Sequence, residues 1–188
     1  MESPIISCGA SEEESHRRVS ELMMDRYDGR KEITVYAKKK YIDPIRYYGS
    51  TRLYGDKSDT PDCYYCEPDI LIEQKGGVCT IIEMDIASTP VTELVGNATT
   101  PLLSKYAQPR SKRIPIMDNL HFIQIICTLD TPNEQMDWEC KYRSLENDID
   151  TLFRSTGKGC RYSLVMPVQR REKTIEKVLI NILENKIW

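Results

Sequence analysis

The feature that most narrows the possible folds is a pair of apolar runs near the middle of the chain. Ile70-Leu71-Ile72 and Val78-Cys79-Thr80-Ile81-Ile82 are rich in β-branched residues and are separated by Gly76-Gly77, a strong turn signal. They predict a β-hairpin, with one strand over Ile70–Ile72 and the returning strand over Val78–Met84. An acid stands at each open end. Asp69, after Pro68, starts the first strand, and Glu83 lies toward the end of the second, fourteen residues on (83 − 69). A hairpin brings those ends together, and two converging carboxylates suit a hard divalent cation, which takes oxygen ligands. Glu83 follows two Ile residues on a strand expected to be buried. A buried carboxylate without a partner is costly, so it requires a cation or a metal.

The elements around the hairpin define the fold class. Ser11 with Glu14 forms a capping-box pattern that opens a helix over 11–27, with His16, Val19, Met23 and Tyr27 on one face. Residues 28–62 are rich in Gly, Asp, Lys and Tyr and read as a mostly irregular connection. A short apolar alternation at Ile33-Thr34-Val35-Tyr36 leaves room for a brief strand or helix. After the hairpin, Ser88 or Thr89 caps a helix with Pro90 at its first position. Val91, Leu94, Val95, Ala98, Leu102 and Tyr106 continue it, with a break near Pro101. His121–Leu129 is a near-continuous apolar strand, the kind buried on both faces. A helix over 133–155, a strand over Arg161–Val168 and an amphipathic helix over Lys173–Lys186 complete the order. The expectation is a single α/β (α+β) domain over 1–188, a mixed β-sheet flanked by helices.

Composition removes several function classes. At 40% hydrophobic and 29% charged residues the balance is that of a globular domain. No run of eighteen apolar residues is present, so no membrane partner is expected, and the N-terminus has no secretory pattern. Seven scattered Cys argue for a reduced intracellular compartment rather than a disulfide framework. Cys79 and Cys127 read as small buried hydrophobes. Cys63 and Cys66 form half a zinc site, with no second pair at convincing spacing. A net charge of −3 excludes a surface coated in basic residues for tight duplex binding. It leaves two local basic strips, Lys38-Lys39-Lys40 and Lys105–Arg113, each either a solvated face or a nucleic-acid contact.

There are two His in the chain; His121 opens a strand and reads as structural. His16 lies one turn into the first helix on its apolar side, as a core histidine or as a ligand completing the Asp69/Glu83 site. Imidazole suits Mn²⁺ better than Mg²⁺. Pro68-Asp69, a hairpin, then Glu83-Met84-Asp85 is a P-D…E-x-D pattern where the PD-(D/E)xK nuclease superfamily has (D/E)-x-K. Asp85 shares a strand face with Glu83, as a further ligand or as a solvated strand-end acid.

The order and spacing of three stretches resemble the cap-snatching endonuclease at the N-terminus of the large polymerase protein of bunyaviruses, phenuiviruses above all. They are Ser15–Arg26 with its histidine, Pro68–Glu83, and Ser104–Asn119. The resemblance implies a restriction-endonuclease-like PD-(D/E)xK core heading a larger viral RNA-directed RNA polymerase. It implies that His16, Asp69, Glu83 and the backbone carbonyl of Met84 hold one or two Mn²⁺ ions. It also implies that single-stranded RNA, host capped mRNA, is cut into primers for viral transcription. The partners expected are that RNA and the rest of the polymerase, with the isolated domain monomeric. The setting expected is the host cytoplasm and the virion. Ser104–Asn119 resembles that group's lysine-bearing helix, whose catalytic lysine lies about one turn before a Lys-Tyr pair. That place is Leu102 here, and Lys105 is the nearest candidate, a catalytic or a surface lysine. Two alternatives stay open: a DNA-processing nuclease of the same fold, and a catalytically weakened domain that binds RNA within the polymerase.

Overall fold

A computed structural model describes residues 12–38, 51–55, 64–85, 89–126, 135–166 and 175–186. Ser11, Lys39, Lys40, Cys63, Ser88 and Cys127, which entered the sequence reading, lie outside the described residues. In chain order the elements are α1 (Glu12–Tyr27), β1 (Ile33–Ala37), β2 (Thr51–Tyr54), β3 (Ile70–Gln74), β4 (Gly77–Asp85), α2 (Val91–Leu103), β5 (Tyr106–Pro109), β6 (Ile114–Ile126), α3 (Gln135–Ser155), β7 (Arg161–Val165) and α4 (Ile175–Lys186).

The expected class holds: a curled, mixed sheet flanked by helices. Its seven described strands follow the path β1-β3-β4-β6-β5-β2, with β7 also paired to β6. The hairpin pairs β1, β3 and β4 antiparallel, whereas β4, β6 and β7 run parallel. Parallel neighbours need crossovers, and the segments carrying α2 and α3 supply them. The sheet separates two cores. Leu94 and Ala98 of α2 with Tyr142, Ile149 and Phe153 of α3 pack against Leu71, Ile81, Phe122 and Tyr162. On the other face, Val19 and Met23 of α1 with Leu179 and Leu183 of α4 pack against Ile70, Ile72, Ile82, Ile123 and Ile125. The central strands β4 and β6 alternate between these cores, which is why both read as nearly unbroken apolar runs.

The structure places more sheet in the chain than its sequence suggests. The connection read as irregular holds β1 and β2, each at one end of the strand path. Their short sequences carry little signal of their own; pairing with β3 and β5 makes them strands. The lysine-bearing stretch is not a helix. Helix α2 stops at Leu103, with Ser104 extended at φ −79° and ψ 144°. Tyr106, expected on the helix, begins β5, which pairs antiparallel with β6. Pro101 sits inside the last turn of α2 rather than breaking it, and its missing N–H forgoes the bond to the Asn97 carbonyl one turn back.

The hairpin turn is Lys75-Gly76, at φ 51° and 84°. Positive φ at both central residues marks the turn whose twist matches the flanking strands. Gly77 already belongs to β4, opposite Gln74, and a Cβ there would come within 2.6 Å of Met117 Cγ. Asn tolerates the left-handed conformation better than Lys does, and Ala tolerates it poorly. Lys75→Asn is therefore expected to raise stability by a few tenths of a kcal/mol, and Gly76→Ala to lower it by about 1 kcal/mol. Urea unfolding checks both; a stabilised Gly76→Ala protein would contradict the turn assignment.

Candidate functional site

The β3–β4 ladder is irregular, and that irregularity builds the site. Ile72 faces Thr80 but Glu73 faces Val78, so Cys79 is an extra residue on β4. Such a bulge shifts the register by one residue and exchanges the faces of everything beyond it. Val78 and Ile81 accordingly lie in the same core. Beyond the bulge Leu71 pairs with Ile81 and Ile70 with Ile82; one step further, Asp69 stands opposite Glu83. The Asp69 backbone N–H donates to Glu83 Oε2 at 3.1 Å, and the Met84 N–H donates to Asp69 Oδ2 at 2.9 Å. The hairpin thus joins the two acids as its sequence predicts.

His16 arrives from the opposite side of the sheet. It is buried on α1 with Val19, Met23 and Tyr27, the face its spacing predicts. Its Nε2 lies 3.2 Å from the Met84 carbonyl oxygen, and its Nδ1 lies 3.9 Å from Asp69 Oδ1. Around the end of β4, His16 therefore touches the Met84 carbonyl and approaches Asp69, while Glu83 touches the Asp69 N–H. In open α/β sheets the carboxyl ends of parallel strands are where ligands bind.

Lys38, one residue beyond β1, places its Nζ 2.7 Å from Asp69 Oδ1. In the sequence it is one of the basic strip Lys38-Lys39-Lys40, which does not show this role. Its signal was parity: Lys38 follows Tyr36 by two, on the face that Asp69 occupies. Lys105 lies elsewhere. Its side chain is exposed, its N–H donates to the Tyr54 carbonyl at 2.7 Å, and its own carbonyl accepts from the Ile116 N–H at 2.9 Å. Leu102 is half-buried against the core below α2.

Asp85 is not a solvated strand-end acid. It is buried, with Oδ2 accepting from Gln124 Nε2 at 2.6 Å and Oδ1 from Asn97 Nδ2 at 3.2 Å. Tyr162 Oη in turn donates to Gln124 Oε1 at 2.7 Å. The polar chain crosses from α2 to β7 and fixes the carboxylate without a formal charge. Cys66 is a half-buried free thiol packed on the core, its pKa pushed up to about 12 chiefly by burial. His121 sits within β6, 2.9 Å from the Ser163 hydroxyl. Among the described residues no three His, Cys, Asp or Glu side chains are spaced to close around an ion by themselves. Comparison with protein families, curated proteins and solved structures finds no match.

Burial, then the charge of Asp69, raises the Glu83 carboxyl well above its ordinary value; Lys38 and the Asp69 N–H oppose this. Burial also raises Asp85, against the Gln124 hydrogen bond, with Asp69 adding to the rise. A carboxyl raised in the folded state binds its proton more tightly there. Stability is then highest below the ordinary carboxyl pKa and falls as pH climbs through the folded value. Glu83→Gln keeps an oxygen to accept the Asp69 N–H and removes the charge. Its melting temperature is expected to exceed wild type at pH 7 by a few degrees, at roughly 2–4 °C per kcal/mol. The gain should vanish near pH 4, where Glu83 is protonated. A difference that does not change with pH would contradict the raised carboxyl.

Proposed function

We propose that this chain is a metal-dependent endoribonuclease domain with a restriction-endonuclease-like PD-(D/E)xK core. On this reading it cuts host capped mRNA into primers as part of a viral RNA-directed RNA polymerase. The observation that carries the reading is the placing of His16, Asp69 and Glu83 around the end of β4, His16 on the Met84 carbonyl and 3.9 Å from Asp69, Glu83 on the Asp69 N–H. The donor chemistry fits a divalent cation. Adjacent ligands on an octahedral ion, each about 2.1 Å from it, stand about 3 Å apart. His16 Nε2 and the Met84 oxygen are 3.2 Å apart, joined by a hydrogen bond that an ion taking both as ligands would replace. The imidazole favours Mn²⁺ over Mg²⁺. When bound, the ion supplies a water of lowered pKa and charge neutralisation at the leaving oxygen.

The chain's own residues divide the remaining work. Asp69 is oriented by the Met84 N–H, and Glu83 by the Asp69 N–H. Position 85, where the superfamily has lysine, is an acid fixed by amides. Lys38, 31% exposed and beside Asp69, is the cation placed to meet a phosphate entering from solvent. On this reading it takes the charge-stabilising role for which Lys105 is the nearest candidate in the sequence.

The same lysine favours a second reading. An ammonium on Asp69 Oδ1 competes with an ion for that oxygen, so a domain that binds RNA without turnover is the alternative. Cleavage of single-stranded RNA with Mn²⁺ separates the possibilities. Asp69→Ala, Glu83→Ala and His16→Ala should each lose activity by about 100-fold or more, as should Lys38→Ala, while Lys105→Ala stays within a few-fold of wild type. A melting temperature raised by Mn²⁺ with no RNA cut would select the binding domain. Duplex DNA cut in preference to RNA would select the DNA-processing nuclease. Full activity of Asp69→Ala or Glu83→Ala would reject the site.

A further inference from the structure

The ribbon formed by β2, β5 and the segment 64–67 has an outer face of aromatic rings and guanidinium groups. Leu53 bridges Cys66, and the Tyr65 N–H donates to the Leu53 carbonyl at 2.7 Å, so this segment adds an edge to β2. Leu53, Cys66 and Ala107 point into the core. By alternation Arg52, Tyr54 and Tyr106 point outward. There they form a row: the Arg113 guanidinium lies 4.8 Å from the Tyr106 ring, and Tyr106 stacks on Tyr54 at 5.1 Å and 7°. Tyr54 meets Tyr64 edge-on at 6.5 Å, and the Arg52 guanidinium lies 4.5 Å from Tyr64.

Tyr54 is buried and forms the floor, whereas Tyr64 and Tyr65 are 38% and 52% exposed. Tyr65 is laid over Gly55, where a Cβ would meet its hydroxyl at 2.1 Å. The adjoining turn, Arg110-Ser111-Lys112-Arg113, is exposed throughout, as is Lys105. Among the described residues, Glu67 Oε1 accepts from Arg52 Nε at 3.0 Å, and Glu73 accepts from Lys112 Nζ at 2.6 and 2.8 Å. In a chain of net charge −3, this edge gathers cations around exposed rings.

We propose that this face is a platform for single-stranded nucleic acid, on which unpaired bases stack while the arginines and lysines follow the phosphates. Aromatic rings interleaved with cations are the chemistry that holds single strands, because every base has a π-face and every linkage a charge. A duplex hides its bases and would lose the stacking. Protein chain continues from Tyr65 through Cys66, Glu67 and Pro68 to Asp69. Four steps at an extended rise place the Asp69 backbone within about 13 Å of that of Tyr65. The inference rests on the nuclease reading and deepens it by giving a single-stranded substrate a surface outside the carboxylate site. Its test uses EDTA, without divalent ions, so that platform and cleavage site can fail separately.

Fluorescence anisotropy with labelled oligo(rU) and oligo(dT) is the measurement. Both are expected to bind wild type, more weakly as salt rises, with the tighter of the two telling RNA from DNA. Tyr64→Ala and Tyr65→Ala should each weaken binding about 5-fold or more, and Tyr64→Phe should retain it. Arg113→Ala should lower the salt slope by about one. Circular dichroism melts establish that each variant folds; should Tyr64→Ala fail to fold, Tyr65→Ala, whose ring lies on the surface, decides. Absence of binding by either strand at low salt overturns the proposal. So does wild-type affinity in a folded alanine variant, or a duplex that binds as tightly as the single strands.

Discussion

The ladder between β3 and β4 carries one residue more on β4 than on β3, and the position of every acid near the site follows from that surplus. A two-residue turn at Lys75-Gly76 pairs Gln74 with Gly77. Continued without interruption, that register would set Asp69 opposite Ile82. Cys79 absorbs one residue, its thiol directed to the Ile72 carbonyl at 3.5 Å, and Asp69 comes to face Glu83 instead. The same shift turns Ile81, Glu83 and Asp85 toward α2 and leaves Ile82 and Met84 toward α1. Because the side-chain period of a strand is two, no smaller change could have done this.

Three carboxyls placed so close on one half-buried face would repel one another, and each is balanced differently. Asp69 has the Lys38 ammonium and the Met84 N–H. Asp85 has the amides of Gln124 and Asn97, which stabilise its charge without adding one of their own. Glu83 has the Asp69 N–H and the more distant field of Lys38, against burial and two neighbouring acids. It is therefore the least compensated of the three, and its proton affinity rises most readily for that reason. A cation entering this corner would relieve the repulsion that the fold has accumulated there, which is the physical basis for reading it as a site.

Part of this was legible without coordinates. The meeting of Asp69 with Glu83 followed from two apolar runs and a turn, and the burial of His16 followed from its spacing with Val19, Met23 and Tyr27. The parity of Lys38 with Tyr36 has meaning only if the segment is a strand, and β1 is a strand only where β3 pairs with it. Tyr106 was misplaced on a helix because Leu94, Ala98 and Leu102 extend to it at helical spacing. Only pairing with Tyr54 and Pro115 shows that the chain has already turned into a strand.

The sequence by itself determined the class of fold and the acid pair, since apolar periodicity and glycine turns are local properties that each segment carries with it. The tertiary structure decided the bulge at Cys79, the arrival of Lys38, the amide chain that holds Asp85 and the aromatic row on β2 and β5. The bulge depends on how two hairpin strands settle against both cores, and the others on which segment lies beside which across a dozen to more than fifty residues. Local propensity does not encode such neighbours; only the burial of two cores on opposite faces of one curled sheet selects them.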